Sequence, residues 1–124
     1  MTYLDTHVAA WLYGGHSSHL SETARQEIRK EPLLISPMVL LELQLLFEIR
    51  RARDPASKVA EHLGRDLGIA VCDHPFPSVA ASAMEIKWTR DPFDRLIVAH
   101  AAANDAVLIT KDERIRRHYK RAVW

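Results

Sequence analysis

Four carboxylates stand where the surrounding sequence is apolar or structurally committed. Asp5 closes the run Tyr3-Leu4-Asp5-Thr6, and Glu42 interrupts the hydrophobic stretch from Met38 to Phe47. Asp94 falls on the apolar side of a well-marked helical segment, and Asp112 follows the run from Ala106 to Lys111. Buried or half-buried carboxylates are costly unless paired, hydrogen-bonded or metal-bound. A divalent cation is the simplest agent that could hold several of them together, and an oxygen-only donor set favours Mg²⁺ or Mn²⁺. Other chemistries find little footing. Cys72 is the only cysteine, which excludes a Cys₄ or Cys₂His₂ zinc site, and the seven histidines lack convergent ligand spacing. There is no glycine-rich phosphate loop, and no third group identifies itself as orienting Ser36 or Cys72 as a nucleophile.

Each carboxylate also admits a structural reading. Asp5 can cap the helix that follows it, with Thr6 and His7 adding polar groups alongside; a histidine at such a junction is more often structural or exposed than a substrate contact. Glu42 has Met38, Val39, Leu45 and Leu46 as its helical neighbours, so it is either a solvent-facing residue or a site residue about two turns from Pro37. Asp94, third in a helix opened by Asp91-Pro92, can extend the cap and favour the helix dipole, worth about 0.3–1 kcal/mol. Ile97, Val98 and Ala101 share its face, however, and that spacing turns Asp94 inward and leaves the cap to Asp91. Asp112 can cap a last helix, while Thr110 offers a hydroxyl able to orient a water. Asp73 also follows a strand, but His74-Pro75-Phe76-Pro77 reads as a loop, and Asp73 is set aside.

The elements that must position these residues alternate in type. Strands are expected at Thr2–Thr6, Leu33–Ile35, Ile69–Cys72 and Val107–Thr110, with Ala122-Val123-Trp124 as a last edge strand. An apolar helical turn over Val8 to Leu12 is stopped by Gly14 and Gly15. Ser21 caps a helix carrying Ala24 and Ile28, and Ser36-Pro37 opens one running to about Arg51. Asp54-Pro55 repeats that signature before Val59, Leu63 and Leu67. A further helix begins near Pro77, Asp91-Pro92 opens the clearest one, and a basic helical stretch follows Asp112. This alternation indicates an α/β domain with a mainly parallel sheet. In such sheets ligands gather beyond the C-terminal strand ends, where Asp5 and Asp112 are expected to meet.

A length of 124 residues fits one domain spanning 1–124. With 48% hydrophobic and 27% charged residues the composition is that of a folded chain, not a disordered one. Net charge is only +1, but from Lys111 onward six basic residues face two acids, a balance of +4, so the rest sums to −3. That basic end suits a phosphate backbone or is simply a solvated helix; Arg114, Arg116, Arg117, Lys120 and Arg121 are the candidate backbone contacts. Cys72 reads as a core residue in a reducing compartment. No signal peptide and no stretch of 18 apolar residues is visible, so a cytoplasmic protein without a membrane span is expected.

Tyr3-Leu4-Asp5-Thr6-His7 with Trp11, then Glu42, then Asp91-Pro92-Phe93-Asp94-Arg95-Leu96-Ile97-Val98-Ala99, then Leu108-Ile109-Thr110-Lys111-Asp112 resemble the PIN domain, and more closely the VapC-type ribonuclease toxins of bacterial toxin–antitoxin pairs. The resemblance runs from Tyr3 to about Tyr119. It implies a three-layer α/β/α sandwich, homodimers, and an acidic quartet at Asp5, Glu42, Asp94 and Asp112 with Thr110 beside the metal. It further implies Mg²⁺- or Mn²⁺-dependent cleavage of RNA and a cognate antitoxin that inhibits it. The segment from Met84 to Arg90 departs from the family pattern, which often has a leucine-proline and a histidine-arginine there; that bears on loop shape and RNA selection, not on the acids. Another metal-dependent nuclease and an inactive RNA- or protein-binding module are the competing expectations.

Overall fold

A computed structural model describes residues 1–30 and 32–124. Its strands are β1 (Thr2–Leu4), β2 (Leu33–Ile35), β3 (Ala70–Val71), β4 (Val107–Ile109) and β5 (Ala122–Val123). They form one sheet in the order β3-β2-β1-β4-β5, with every pairing parallel. The helices are α1 (Thr6–Gly14), α2 (Glu22–Ile28), α3 (Pro37–Glu48), α4 (Ala56–Leu67), α5 (Phe76–Met84), α6 (Pro92–Ala103) and α7 (Glu113–His118), and a 3₁₀ turn over Ser17–His19 was not anticipated. The whole is a three-layer α/β/α arrangement. Central strand β1 is fully buried, whereas edge strand β3 is exposed, the gradient expected when helices cover the middle of a parallel sheet. Tyr3, Leu4, Ile35, Ile97, Leu108 and Ile109 are all at most 1% exposed and fill the core.

Several boundaries moved for identifiable reasons. The first strand ends at Leu4 because Asp5 turns the chain: its carboxylate accepts from the Thr6 amide at 2.8 Å and caps α1. Gly15, at φ 72°, stops that helix. Helix α3 ends at Glu48, three residues short of expectation, because Arg50 adopts φ 62° and the Arg51 and Ala52 amides both turn back to the Leu46 carbonyl. Asp54 does not cap α4. It accepts instead from the Tyr13 hydroxyl at 2.6 Å and pairs with Lys58 at 3.2 Å, and Pro55 begins the helix without a side-chain cap.

Strand order sets the position of the site. The chain steps from β1 to β2 to β3 in one direction and then reverses to β4 and β5 on the other side, so the switch in direction lies between β1 and β4. Leu4 is in register with Ile109, and the Asp5 amide donates to the Ile109 carbonyl at 3.0 Å. Helix α6 leads back to the start of β4, which places its own first turn at the opposite, carboxyl end of the sheet. That crevice is where open α/β sheets bind ligands.

Candidate active site

Asp5, Glu42, Asp94 and Asp112 line one cavity of about 330 Å³, together with His7, Trp11 and Lys111. The sequence set of four acids is thus brought together from α3, α6 and the ends of β1 and β4. Asp5 is 8% exposed, and both its oxygens are held: Thr6 donates its amide to Oδ1, and Thr110 donates its hydroxyl to Oδ2 at 2.5 Å. The same Thr110 oxygen accepts from the Asp112 amide at 3.1 Å, so one fully buried hydroxyl ties the two strand ends together. Asp112 caps α7 through Oδ1 alone, accepting from Arg114 at 2.8 Å and Ile115 at 3.0 Å. Capping and site membership therefore coexist at Asp5 and Asp112.

Asp91 behaves as the cap of α6, taking the Phe93 and Asp94 amides at 2.8 and 3.1 Å, and Asp94 is left half-buried and facing the cavity. Burial raises the Asp94 carboxyl to about 7, reinforced by the charges of Asp91, Asp5, Asp112 and Glu42. Glu42 is also raised, first by burial and then by Asp5 and Asp91. The nearby Thr6 hydroxyl offsets part of that rise, although it is buried with no partner at full hydrogen-bond distance. Asp5 is raised by burial, against the opposing effect of Thr110 and Thr6. Burial comes first in all three directions, and like charges in the shared site add to it.

Among the described residues, no ion pair involves any of the four acids. Arg95, a candidate partner, is engaged with the Thr89 carbonyl at 2.8 Å instead. Four convergent carboxylates with no ion pair among the described residues, beside an orphaned hydroxyl, match the donor chemistry of Mg²⁺ or Mn²⁺. No three of them among the described residues sit together at ligating distance. Mg²⁺ usually takes one or two carboxylates directly and keeps several waters, so the remaining acids of the four would act on a bound ion through its waters and through their charge.

Three lining residues lie outside the expected acidic set. The sequence places Trp11 in an apolar helical turn, reads His7 as more often structural or exposed than a substrate contact, and gives Lys111 only as part of the basic end. The signals were local: His7 and Trp11 share a face of α1 at a spacing of four, and Lys111 sits between two site residues. The basic residues divide. Arg114, Arg116 and Arg117 lie on α7, whose capped end is at the site; Arg116 donates to the Lys111 carbonyl at 3.3 Å and lines, with Glu113 and Arg117, a separate cavity of about 320 Å³. Arg121 instead pairs with Asp105 at 3.6 Å, just before β5 and β4 begin, and Lys120 stands beside it. These two lie at the amino end of the sheet, away from the acids, because α7 carries the chain back along its length.

Comparison with known proteins agrees with this geometry. A family model described as PIN domain matches residues 2–121. The chain is 36% identical to ribonuclease VapC22 of Mycobacterium tuberculosis, over 93% of its own length and 89% of the relative's. Among solved structures, the VapBC2 complex of Rickettsia felis bound to a DNA fragment from its promoter superposes with a TM-score of 0.63 at 21% identity, covering 94% of this chain and 92% of that one. A toxin–antitoxin complex from Klebsiella pneumoniae superposes with a TM-score of 0.64 at 15% identity, covering 100% and 97%. At those identities the two structures speak for the fold.

Proposed function

The chain belongs to the PIN domain family, and from that premise we propose that it is a metal-dependent endoribonuclease, the toxin of a toxin–antitoxin pair, hydrolysing RNA phosphodiester bonds. The observation that carries this reading is the convergence of Asp5, Glu42, Asp94 and Asp112 on one cavity at the β1/β4 switch point, with none of them in an ion pair among the described residues. The relative's name supports ribonuclease activity, and the toxin–antitoxin neighbours support an antitoxin partner.

Asp5, Glu42, Asp94 and Asp112 are the residues that would hold Mg²⁺ or Mn²⁺. Such an ion supplies an activated water and neutralises charge developing on the phosphate. The chain's own residues do the positioning. Thr110 fixes the Asp5 carboxylate and the Asp112 backbone in one relative placement. With Oδ1 of Asp112 committed to the helix, Oδ2 is the oxygen free to face the cavity. Lys111 and His7, on the rim, can meet the incoming phosphate backbone. Leu41, Leu45 and Ile49, 54%, 41% and 52% exposed, recur every fourth residue along and just past α3; an apolar stripe of that kind supports self-association as a homodimer.

The test is cleavage of total RNA by antitoxin-free protein with Mg²⁺ or Mn²⁺, beside EDTA and Asp94→Asn controls. Discrete new ends that vanish in both controls are expected. Cutting that persists in either control would overturn the assignment.

A further inference from the structure

With Lys120 and Arg121 at the far end of the sheet, the C-terminal cations do not by themselves make a track for a polynucleotide. A different basic segment borders the site. Trp11 lines the acidic cavity and also a larger one, of about 690 Å³, lying among α1, the start of α4 and the α3–α4 turn. One indole therefore forms part of the wall of both. The turn carries Arg50, Arg51 and Arg53 in four residues, and Arg51 and Arg53 line the second cavity. Both are exposed, and neither is in an ion pair among the described residues. Asp54 is the acid at this rim, and its charge is already engaged by Tyr13 and Lys58.

We infer that single-stranded RNA flanking the scissile phosphate runs from the acidic cavity across Trp11 into this second cavity, with Arg51 and Arg53 taking its backbone phosphates. The inference rests on the ribonuclease reading above. Its chemistry is that of sequence-tolerant single-strand binding, in which an aromatic platform stacks a base and adjacent cations follow the backbone. The platform is braced: His19 packs edge-on against Trp11 at 5.3 Å between ring centres, and Trp124 lies at 5.8 Å. The backbone of the turn that carries the arginines is held in place as well. Two consecutive amides return to Leu46, and Gln44 accepts from the Ala56 amide at 3.1 Å across the turn. Leu43 and Val59 back the cavity from the core, 2% and 4% exposed, which leaves Trp11 as the side chain to meet a base face. A duplex, with its bases already stacked on one another, could not use that platform.

The test compares wild type with Arg51→Ala/Arg53→Ala and with a control, Arg65→Ala, at an exposed α4 position outside both cavities. Binding of a labelled single-stranded oligoribonucleotide is titrated in EDTA across a range of salt, and cleavage of total RNA is followed with Mn²⁺. The double variant is expected to bind at least tenfold more weakly, with a salt slope shallower by about 1.4, since each lost phosphate contact removes roughly 0.7 for a single strand. The Arg65 variant should match wild type. RNA cleavage with unchanged affinity and slope in the double variant would overturn the track and leave the ribonuclease reading standing. Loss of antitoxin binding in the double variant with RNA binding intact would assign the cavity to the protein partner and overturn it equally. Absence of cleavage by wild type would remove the reading on which the track depends.

Discussion

Asp94 concentrates the electrostatic tension of the site. Its carboxyl titrates near 7 because burial and four neighbouring acids disfavour its charge. A folded-state value above the unfolded one means that folding is penalised once the unfolded chain ionises first. Metal-free protein should therefore lose stability as pH rises from about 4 through about 7, and no further above that. Asp94→Asn should remove the penalty. In urea unfolding at pH 8 with EDTA we expect the variant to be more stable than wild type by about 1–2 kcal/mol, after allowing for solvent screening of a half-buried charge, with a smaller gain at pH 5. A loss of stability would instead make Asp94 a structural residue. Its inward direction was legible from Ile97, Val98 and Ala101 on the same face. Trp11 and Lys111 had local signals, a shared α1 face with His7 and a place between two site residues, but those signals do not name a cavity; only the meeting of β1 and β4 puts both residues on one.

At the scale of elements, α6 is the lever that holds Asp94. Asp91 caps it with two backbone hydrogen bonds, and Asp91→Ala should cost about 1 kcal/mol. The same substitution removes the strongest neighbouring charge acting on Asp94, so its carboxyl should fall and part of the loss should be recovered at high pH. Unfolding midpoints at pH 5 and pH 8 test this: the cost should be larger at pH 5, and cleavage should persist where Asp94→Asn abolishes it. An equal cost at both pH values would deny the coupling. Caps at Ser21, Ser36 and Asp91 were readable because their partners lie within three residues. Asp54 misled for the converse reason. Its partner Tyr13 is 41 residues away, and that long-range bond displaced the local cap. The end of α3 was hidden too, since the left-handed turn falls on an arginine where glycine or asparagine would have announced it.

At the scale of the molecule, alternating apolar strands and capped helices were enough to indicate a parallel α/β sheet, but not its strand order. That order depends on which strands find each other across long crossovers, and it decides everything about the site. Because the direction switches between β1 and β4, acids separated by more than a hundred residues share a hydroxyl, and α3 and α6 deliver two more to the same crevice. No helix among the described residues is long and apolar enough to cross a membrane. The central claim is that these four carboxylates act as one cation site. It is tested most directly by titrating Mn²⁺ into wild type, Glu42→Gln and Asp94→Asn, and counting free ion by electron paramagnetic resonance. Saturable binding by wild type, weakened at least tenfold in each variant while the fold persists, is the expected result. Wild type that binds no Mn²⁺, or variants that bind it as well as wild type, would contradict the account.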